Sequence, residues 1–185
     1  FIAMIILVLA WSMSEISREL HTADFLIASL GDSLPAAALP AVIFVLAAFT
    51  AFSTGSSWGA MGILLPLVMP LCWAIMGLEG LIASEDYFIL YASVSGVLTG
   101  AVWGDHCSPI SDTTVMSSLS AGCDHIEHVR TQLPYALLAG AAALGFGTLP
   151  ISFGLPWWAG MLGAATVTVI GLRVLGQKVP DYRPD

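Results

Sequence analysis

Apolar residues in this chain fall into five long blocks, and the polar residues are concentrated between them. The blocks are residues 1–13, 34–76, 87–103, 133–149 and 155–175. A helix needs about 20 apolar residues to cross a bilayer, so the second block is long enough to cross twice. A transmembrane barrel would show alternating segments of about 10 residues, whereas these runs are continuous. The pattern predicts an all-α polytopic membrane protein, with one transmembrane domain over 1–185 and a polar tail at 177–185.

Composition and charge agree with a lipid environment. Charged residues make up 10% of the chain and hydrophobic residues 57%, whereas soluble domains carry about 25% charged residues. The net charge of −8 argues against nucleic acid as a partner, because phosphate binding needs clustered Lys and Arg. The three cysteines match no zinc or CxxC spacing. We therefore expect the lipid bilayer as a partner and no cofactor.

The first polar interruption lies inside the long second block. The stretch from Phe52 to Gly59 contains three serines and a threonine but no Lys, Arg, Asp, Glu, Asn or Pro. It fits either an exposed turn between two full spans or a re-entrant hairpin whose tip is buried in protein. An exposed loop is normally richer in charged and turn-forming residues, so we favour the buried tip.

The second interruption follows the 87–103 block directly. The eleven residues from Gly104 to Thr114 contain two carboxylates, an imidazole, a thiol and four hydroxyls. Polar groups at membrane depth are costly and usually mark the path of an ion or substrate. Pro109 lacks a backbone N–H and should keep the centre of this segment from being helical.

Two carboxylates in this segment are the strongest candidates for ion or proton chemistry. Asp105 and Asp112 would each cost about 2.5–3.5 kcal/mol at the centre of a membrane helix. A proton or a cation would neutralise them, and one carboxylate that holds either would be the simplest antiport site. Asp112 could instead cap a helix that begins near Thr113. His106 is either a proton relay or a hydrogen-bonded structural group.

Hydroxyl oxygens near these carboxylates supply the hard ligands that Na⁺ prefers, and unwound backbone adds carbonyl oxygens. We expect Na⁺ to bind at Asp105, Asp112 and Ser108. The candidate hydroxyl ligands are Ser53, Thr54, Ser56, Ser108, Ser111 and Thr113. The spacing of Gly96, Gly100 and Gly104 predicts close helix packing on one face.

The sequence motifs resemble the NhaC family of Na⁺/H⁺ antiporters. The strings that carry the likeness are GDHCSPISDT at 104–113, AGCDHIEHVRTQLPY at 121–135 and FSTGSSWG at 52–59. The resemblance implies secondary transport in the inner membrane, with Na⁺ exchanged for H⁺. It also implies two inverted repeats, of which this chain would supply one, with a hairpin tip at 53–57 and an unwound helix at 104–113.

The same resemblance implies a missing partner. Either an N-terminal half lies outside this chain, or two copies assemble as a homodimer. The family also includes exchangers that couple Na⁺ and H⁺ to malate or lactate, which leaves an organic acid as the alternative substrate. The absence of Lys and Arg between Arg18 and Arg130 favours cation exchange, because an anion site usually needs a positive group.

Two other classes fit less well. A membrane hydrolase would need a G-x-S-x-G elbow or an equivalent, so we expect no enzyme, and a channel would lack proton coupling. The charged segment 124–130 contains His125 and His128 but is not an HExxH motif. We interpret it as a solvated surface loop in which Gly122 ends one helix and Asp124 caps the next; a surface pH sensor is the alternative.

Overall fold

The computed structural model describes residues 34–176 continuously, together with residues 8, 12, 15, 16, 19–21, 25 and 28. The α-helices of the continuous part are α1 (Leu39–Thr54), α2 (Ser57–Leu78), α3 (Tyr87–Cys107), α4 (Asp112–Ala121), α5 (His125–Ala142), α6 (Leu149–Ser152) and α7 (Trp157–Leu175). A π-helical stretch, Ala143–Thr148, joins α5 to α6. The described residues contain no strand, so the all-helical prediction is confirmed. The first apolar block and the polar tail lie mostly or wholly outside the described residues.

Within the described residues, five helical segments are long and apolar enough to cross a membrane. They are Ala36–Thr54, Ser57–Leu78, Ser84–Cys107, His125–Ser152 and Trp157–Val174. They account for four of the five apolar blocks, because the long second block forms two helices. This agrees with a multi-pass membrane protein.

Local capping signals set several of the helix ends. Gly55 (φ 66°) ends α1 and Gly122 (φ 63°) ends α4, both in the left-handed region that glycine adopts readily. The Asp124 carboxylate accepts hydrogen bonds from the N–H groups of Ile126 and Glu127 at 2.9 and 3.1 Å. The predicted stop at Gly122 and the predicted cap at Asp124 are therefore confirmed.

Both polar interruptions are shorter than the sequence predicts. Only Gly55 and Ser56 lie outside helices at the first, and only residues 108–111 at the second. The prediction of an unwound 104–113 segment is wrong for 104–107, which form the last turn of α3, and for 112–113, which begin α4. Pro109 has no N–H, so it removes only the helical hydrogen bond that residue 109 would donate to the carbonyl of Asp105. The Asp105 carbonyl accepts the N–H of Ser108 instead, at 3.0 Å. Earlier residues keep their helical bonds.

The closest packing in the described part joins α1 and α3. Three glycines of α3 lie against backbone carbonyls of α1: Gly96 on Pro40, Gly100 on Phe44 and Gly104 on Ala48. The residue numbers rise together and each pair is 56 residues apart, so the two helices run parallel in a fixed register. A Cβ at Gly96 would lie 2.9 Å from the Pro40 oxygen, which confirms the predicted close packing of the glycine face.

The other helices pack around this pair. The core is formed by apolar residues of α1, α2 and α3, and the Glu79 carboxylate after α2 accepts the N–H of Ala36 at 2.8 Å. Near the C-terminal end of α3, Trp103 donates its indole N–H to the carbonyl of Ala136 on α5 at 2.7 Å and stacks on Phe44 of α1. Helix α7 packs outside α5 and is largely exposed. The end of α2 is thus bonded to the segment before α1, and α5 is bonded to the last turns of α3.

We predict that Gly104→Ala destabilises the protein, because its Cβ would overlap the Ala48 carbonyl, which is backbone and cannot rotate away. Overpacking of this kind costs about 1–3 kcal/mol. The measurement is the midpoint of thermal unfolding in detergent. Gly77→Ala is the control, since a Cβ there meets nothing within 4 Å and helix propensity should favour Ala by about 0.5–1 kcal/mol. Equal midpoints for Gly104→Ala and the wild type would contradict the packing account.

Candidate functional site

The two polar interruptions touch each other. The Ser108 hydroxyl donates to the carbonyl oxygen of Phe52 at 2.7 Å. A Cβ added to Gly55 would lie 2.9 Å from the carbonyl oxygen of Ile110, so only glycine fits this approach. Ser108 and Phe52 are again 56 residues apart and continue the register of the glycine contacts. The end of α1 and the break between α3 and α4, residues 108–111, therefore form one junction.

Asp105 is buried at this junction, with only 5% of its surface exposed. The Ser111 hydroxyl donates to its Oδ1 at 2.8 Å and the Thr113 hydroxyl to its Oδ2 at 3.3 Å. The two hydroxyl oxygens are themselves 2.7 Å apart. Ser111 is fully buried and Thr113 is exposed, so this carboxylate–hydroxyl triangle reaches the surface on its Thr113 side.

The sequence between Arg18 and Arg130 contains no Lys or Arg that could pair with Asp105. Arg130 itself is exposed and pairs with Glu127 at 3.4 Å. The N-terminus of α4 begins beside the triangle, and its dipole favours an anion there by about 0.3–1 kcal/mol. This contribution is smaller than the cost of placing a carboxylate in a membrane.

The other two predicted proton or ion groups stand apart from the triangle. Asp112 is the first residue of α4, is exposed, and accepts the N–H of Thr113 at 2.8 Å. His106 is exposed, and its carbonyl oxygen accepts from the side-chain amide of Gln132 at 2.7 Å. Within the described part, neither side chain is hydrogen-bonded to Asp105.

The hydroxyls of the hairpin tip serve the ends of their own helices. The Ser56 hydroxyl accepts the N–H of Gly59 at 3.2 Å and caps α2. The Thr54 hydroxyl donates to the carbonyl of Thr50 at 2.9 Å, and Ser53 is exposed on the last turn of α1. The turn between α1 and α2 therefore contacts the α3–α4 break through the backbone of Phe52 and Gly55. A search for candidate side-chain ligands does not predict these backbone contacts.

His125 is the residue that the sequence interpretation misses. Its Nε2 lies 2.7 Å from the carbonyl oxygen of Pro109 and its Nδ1 lies 3.0 Å from the Ser118 hydroxyl. The solvated-loop prediction fits the exposed Glu127–Arg130 pair but is wrong for His125, which is half-buried. One sequence signal could have indicated this position. The Gly122 stop followed closely by the Asp124 cap predicts a tight turn, which brings α5 back beside α4.

Two further features complete the description of the site. The Thr114 hydroxyl, one turn after Ser111, is buried and has no hydrogen-bond partner among the described residues. Those same residues contain no cluster of three or more His, Cys, Asp or Glu side chains that could hold a metal ion. The polar atoms at the junction are mainly hydroxyl, carboxylate and carbonyl oxygens, which are the ligands of hard cations.

Comparison with known proteins places the chain among transporters, although no solved structure matches it significantly. An uncharacterized protein of Haemophilus influenzae is 40% identical over 90% of this chain and 30% of its own length. An uncharacterized Na⁺/H⁺ antiporter of the same organism is 36% identical over 55% of the chain and 20% of its own length. The malate-2H⁺/Na⁺-lactate antiporter of Bacillus subtilis is 31% identical over 48% of the chain and 17% of its own length.

The chain spans less than a third of the length of each of these relatives. The family-level match is broader, because residues 1–151 fit the model of the Na⁺/H⁺ antiporter family. This region contains both polar interruptions and helices α1 to α5. The chain belongs to the Na⁺/H⁺ antiporter family.

Proposed function

We propose that this chain forms part of a secondary transporter that exchanges Na⁺ for H⁺ across the inner membrane, and that Asp105 alternately holds the proton and the Na⁺. Membership of the antiporter family supports the exchange reaction. The observation that carries the site assignment is the buried carboxylate of Asp105 in contact with the hydroxyls of Ser111 and Thr113. The role is transport, so no enzymatic chemistry and no cofactor is proposed.

A count of protons supports an alternating occupant. The Asp105, Ser111 and Thr113 side chains form three contacts, at 2.8, 2.7 and 3.3 Å. Each hydroxyl carries one proton, so an ionised carboxylate leaves one of the three contacts without a hydrogen. A protonated carboxylate supplies the third hydrogen, and all three contacts become hydrogen bonds in a closed ring. A cation bound to the ionised site would instead satisfy the oxygen lone pairs directly.

The contacts of Asp105 also offset the cost of its burial. An unpaired Asp at membrane depth costs about 2.5–3.5 kcal/mol, and each hydrogen bond to a charged group returns about 1.5–3 kcal/mol. The two hydroxyls can therefore hold the carboxylate without a Lys or Arg from the described part of the chain. A site of this kind exchanges its proton for Na⁺ when the external concentrations change.

The remaining predicted residues have separate roles in this proposal. Asp112, exposed at the start of α4, would draw cations toward the exposed Thr113 side, and His106 would pass protons at the same surface. Ser108 holds the junction through its hydrogen bond to Phe52 and would supply a further cation ligand. The hydroxyls of Ser53, Thr54 and Ser56 complete the ligand set only if the tip rearranges during transport. The remaining oxygens would come from a missing N-terminal half or from a second copy in a homodimer.

An organic acid exchanger is the second candidate. A relative that bears 31% identity over 48% of the chain is named a malate-2H⁺/Na⁺-lactate antiporter. The same carboxylate site would then couple Na⁺ and H⁺ to an acid bound elsewhere. Everted vesicles separate the two candidates, because a Na⁺/H⁺ antiporter dissipates ΔpH with NaCl alone. A response that needs added malate or lactate would favour the exchanger.

We predict that Asp105→Asn abolishes Na⁺-dependent dissipation of ΔpH in everted vesicles, because the amide cannot exchange a proton for a cation. Asp112→Asn should reduce the rate less, since Asp112 is exposed. Glu127→Gln is the matched control: it removes an exposed carboxylate paired with Arg130 and should leave exchange unchanged. Wild-type exchange by Asp105→Asn, at equal amounts in the membrane, would refute the assignment.

We predict that Ser111→Ala raises the apparent Km for Na⁺ roughly tenfold, the effect of losing about 1.4 kcal/mol from one charged hydrogen bond. The buried Ser111 hydroxyl contacts both other members of the triangle. Ser117→Ala provides the comparison, because Ser117 lies on the exposed side of the same helix. A Km equal to that of the wild type in Ser111→Ala would remove the hydroxyl from the cation site.

A further inference from the structure

The α3–α4 break has a second support besides the contact with α1. Its residues include Pro109, which has no N–H to donate, so the backbone of Pro109 can be hydrogen-bonded only through its carbonyl oxygen. The Pro109 carbonyl accepts from Nε2 of His125 at 2.7 Å. Pro109 lies two residues before Ser111, the buried member of the Asp105 triangle. The imidazole therefore ties the first turn of α5 to the segment that carries the site.

We propose that His125 is a positioning residue for the Asp105 site: through the Pro109 carbonyl it fixes the break, and its protonation sets how firmly the break is held. The proposal deepens the proposed function, and its part on Na⁺ affinity rests on that function. Its part on the rigidity of residues 108–111 stands on the contacts alone.

The hydrogen-bond partners of the imidazole determine which protons it needs. Nε2 must carry a proton, because a carbonyl oxygen can only accept. Nδ1 faces the Ser118 hydroxyl at 3.0 Å, and the same hydroxyl lies 2.8 Å from the carbonyl oxygen of Val115. Ser118 has a single proton for these two neighbours, so the protonation state of Nδ1 decides whether both contacts are hydrogen bonds.

The charged imidazolium satisfies every contact. Nε2 donates to Pro109, Nδ1 donates to Ser118, and Ser118 donates to Val115. When the imidazole is neutral, Ser118 must donate either to Nδ1 or to Val115, and one of the three bonds is lost. The charged imidazolium also donates the stronger hydrogen bond to the Pro109 carbonyl, so the clamp on the break is tighter at acidic pH and looser at alkaline pH.

Other charged groups on the surrounding helices leave the imidazole to these partners. Its own helix carries Glu127, His128 and Arg130, and Asp124 precedes it as the cap. The helices packed against α5 carry Asp105 and His106 on α3, Asp112 on α4 and Arg173 on α7. The hydrogen bonds and ion pairs found in the described part connect none of these groups to the His125 ring. Pro109 and Ser118 are therefore the partners of the His125 ring in both its neutral and its charged form.

The test combines transport with hydrogen–deuterium exchange in the complete protein reconstituted in liposomes. His125→Ala should raise the apparent Km for Na⁺ roughly tenfold, with a smaller change in maximal rate. It should also speed amide exchange in peptides covering residues 108–113 while leaving those of α1 and α2 unchanged. His128→Ala, one turn further along α5, should leave both measurements at wild-type values.

Two conservative variants separate positioning from general structure. His125→Gln keeps an N–H donor for Pro109 but cannot titrate, so it should restore the Km and remove the pH dependence of both Km and exchange in 108–113. Ser118→Ala should keep the Km near the wild-type value and weaken the same pH dependence, because Nδ1 loses its partner. If His125→Ala does not fold, the pH dependence of Km in either of these two variants still tests the clamp.

The outcomes distinguish this proposal from the proposed function. One possible outcome is that His125→Ala speeds amide hydrogen exchange at 108–113 while the wild type shows no Na⁺-dependent proton movement. This outcome would overturn the antiporter proposal and leave the clamp proposal intact. Active Na⁺/H⁺ exchange with an unchanged Km and unchanged amide exchange in His125→Ala would overturn the clamp. Equal acceleration throughout the helices would also overturn it, since the residue would then act on overall stability.

Discussion

The backbone contact between α1 and α3 is the constraint on which the site depends. Glycines spaced by four residues on α3 meet carbonyls spaced by four on α1, and the last contact in the same register is the hydrogen bond from Ser108 to Phe52. Because the helices run parallel, their C-terminal ends reach the same level. The glycine face therefore determines that the Gly55 turn meets the α3–α4 break, and that Asp105, the residue after the last glycine, is buried between them.

The proposed role of Asp105 depends on its burial without a Lys or Arg partner among the described residues. Two hydroxyls and one helix N-terminus stabilise the carboxylate partially, and the three oxygen groups lack one proton when the carboxylate is ionised. An added lysine or arginine would lock the site in its charged state, and an apolar surround would lock it protonated. The proposed function needs a site without either restriction, because the proton and Na⁺ must each be released.

The local features of the fold were predictable from the sequence, and among the long-range ones only the glycine packing face was. The four later apolar blocks, the Gly122 stop and the Asp124 cap are confirmed, and each of them depends on residues close together in the sequence. The end of α3 was misplaced by one turn, because Pro109 disturbs only the bond that its own N–H would make. The sequence made both Asp105 and Asp112 candidates for ion binding, and only the packing of α3 and α4 shows that Asp105 is buried and Asp112 exposed. His125 was misjudged for the same reason: its partners, Pro109 and Ser118, lie in other segments.

Proton release on Na⁺ binding tests the central claim most directly. NaCl added to the purified, weakly buffered protein should acidify the medium as Na⁺ displaces the proton of Asp105, with binding followed in parallel by radioactive sodium. Asp105→Asn should release no protons, and the control Glu127→Gln should behave as the wild type. Na⁺ binding by the wild type without any proton release would contradict the account, because the two ions would then not share one carboxylate.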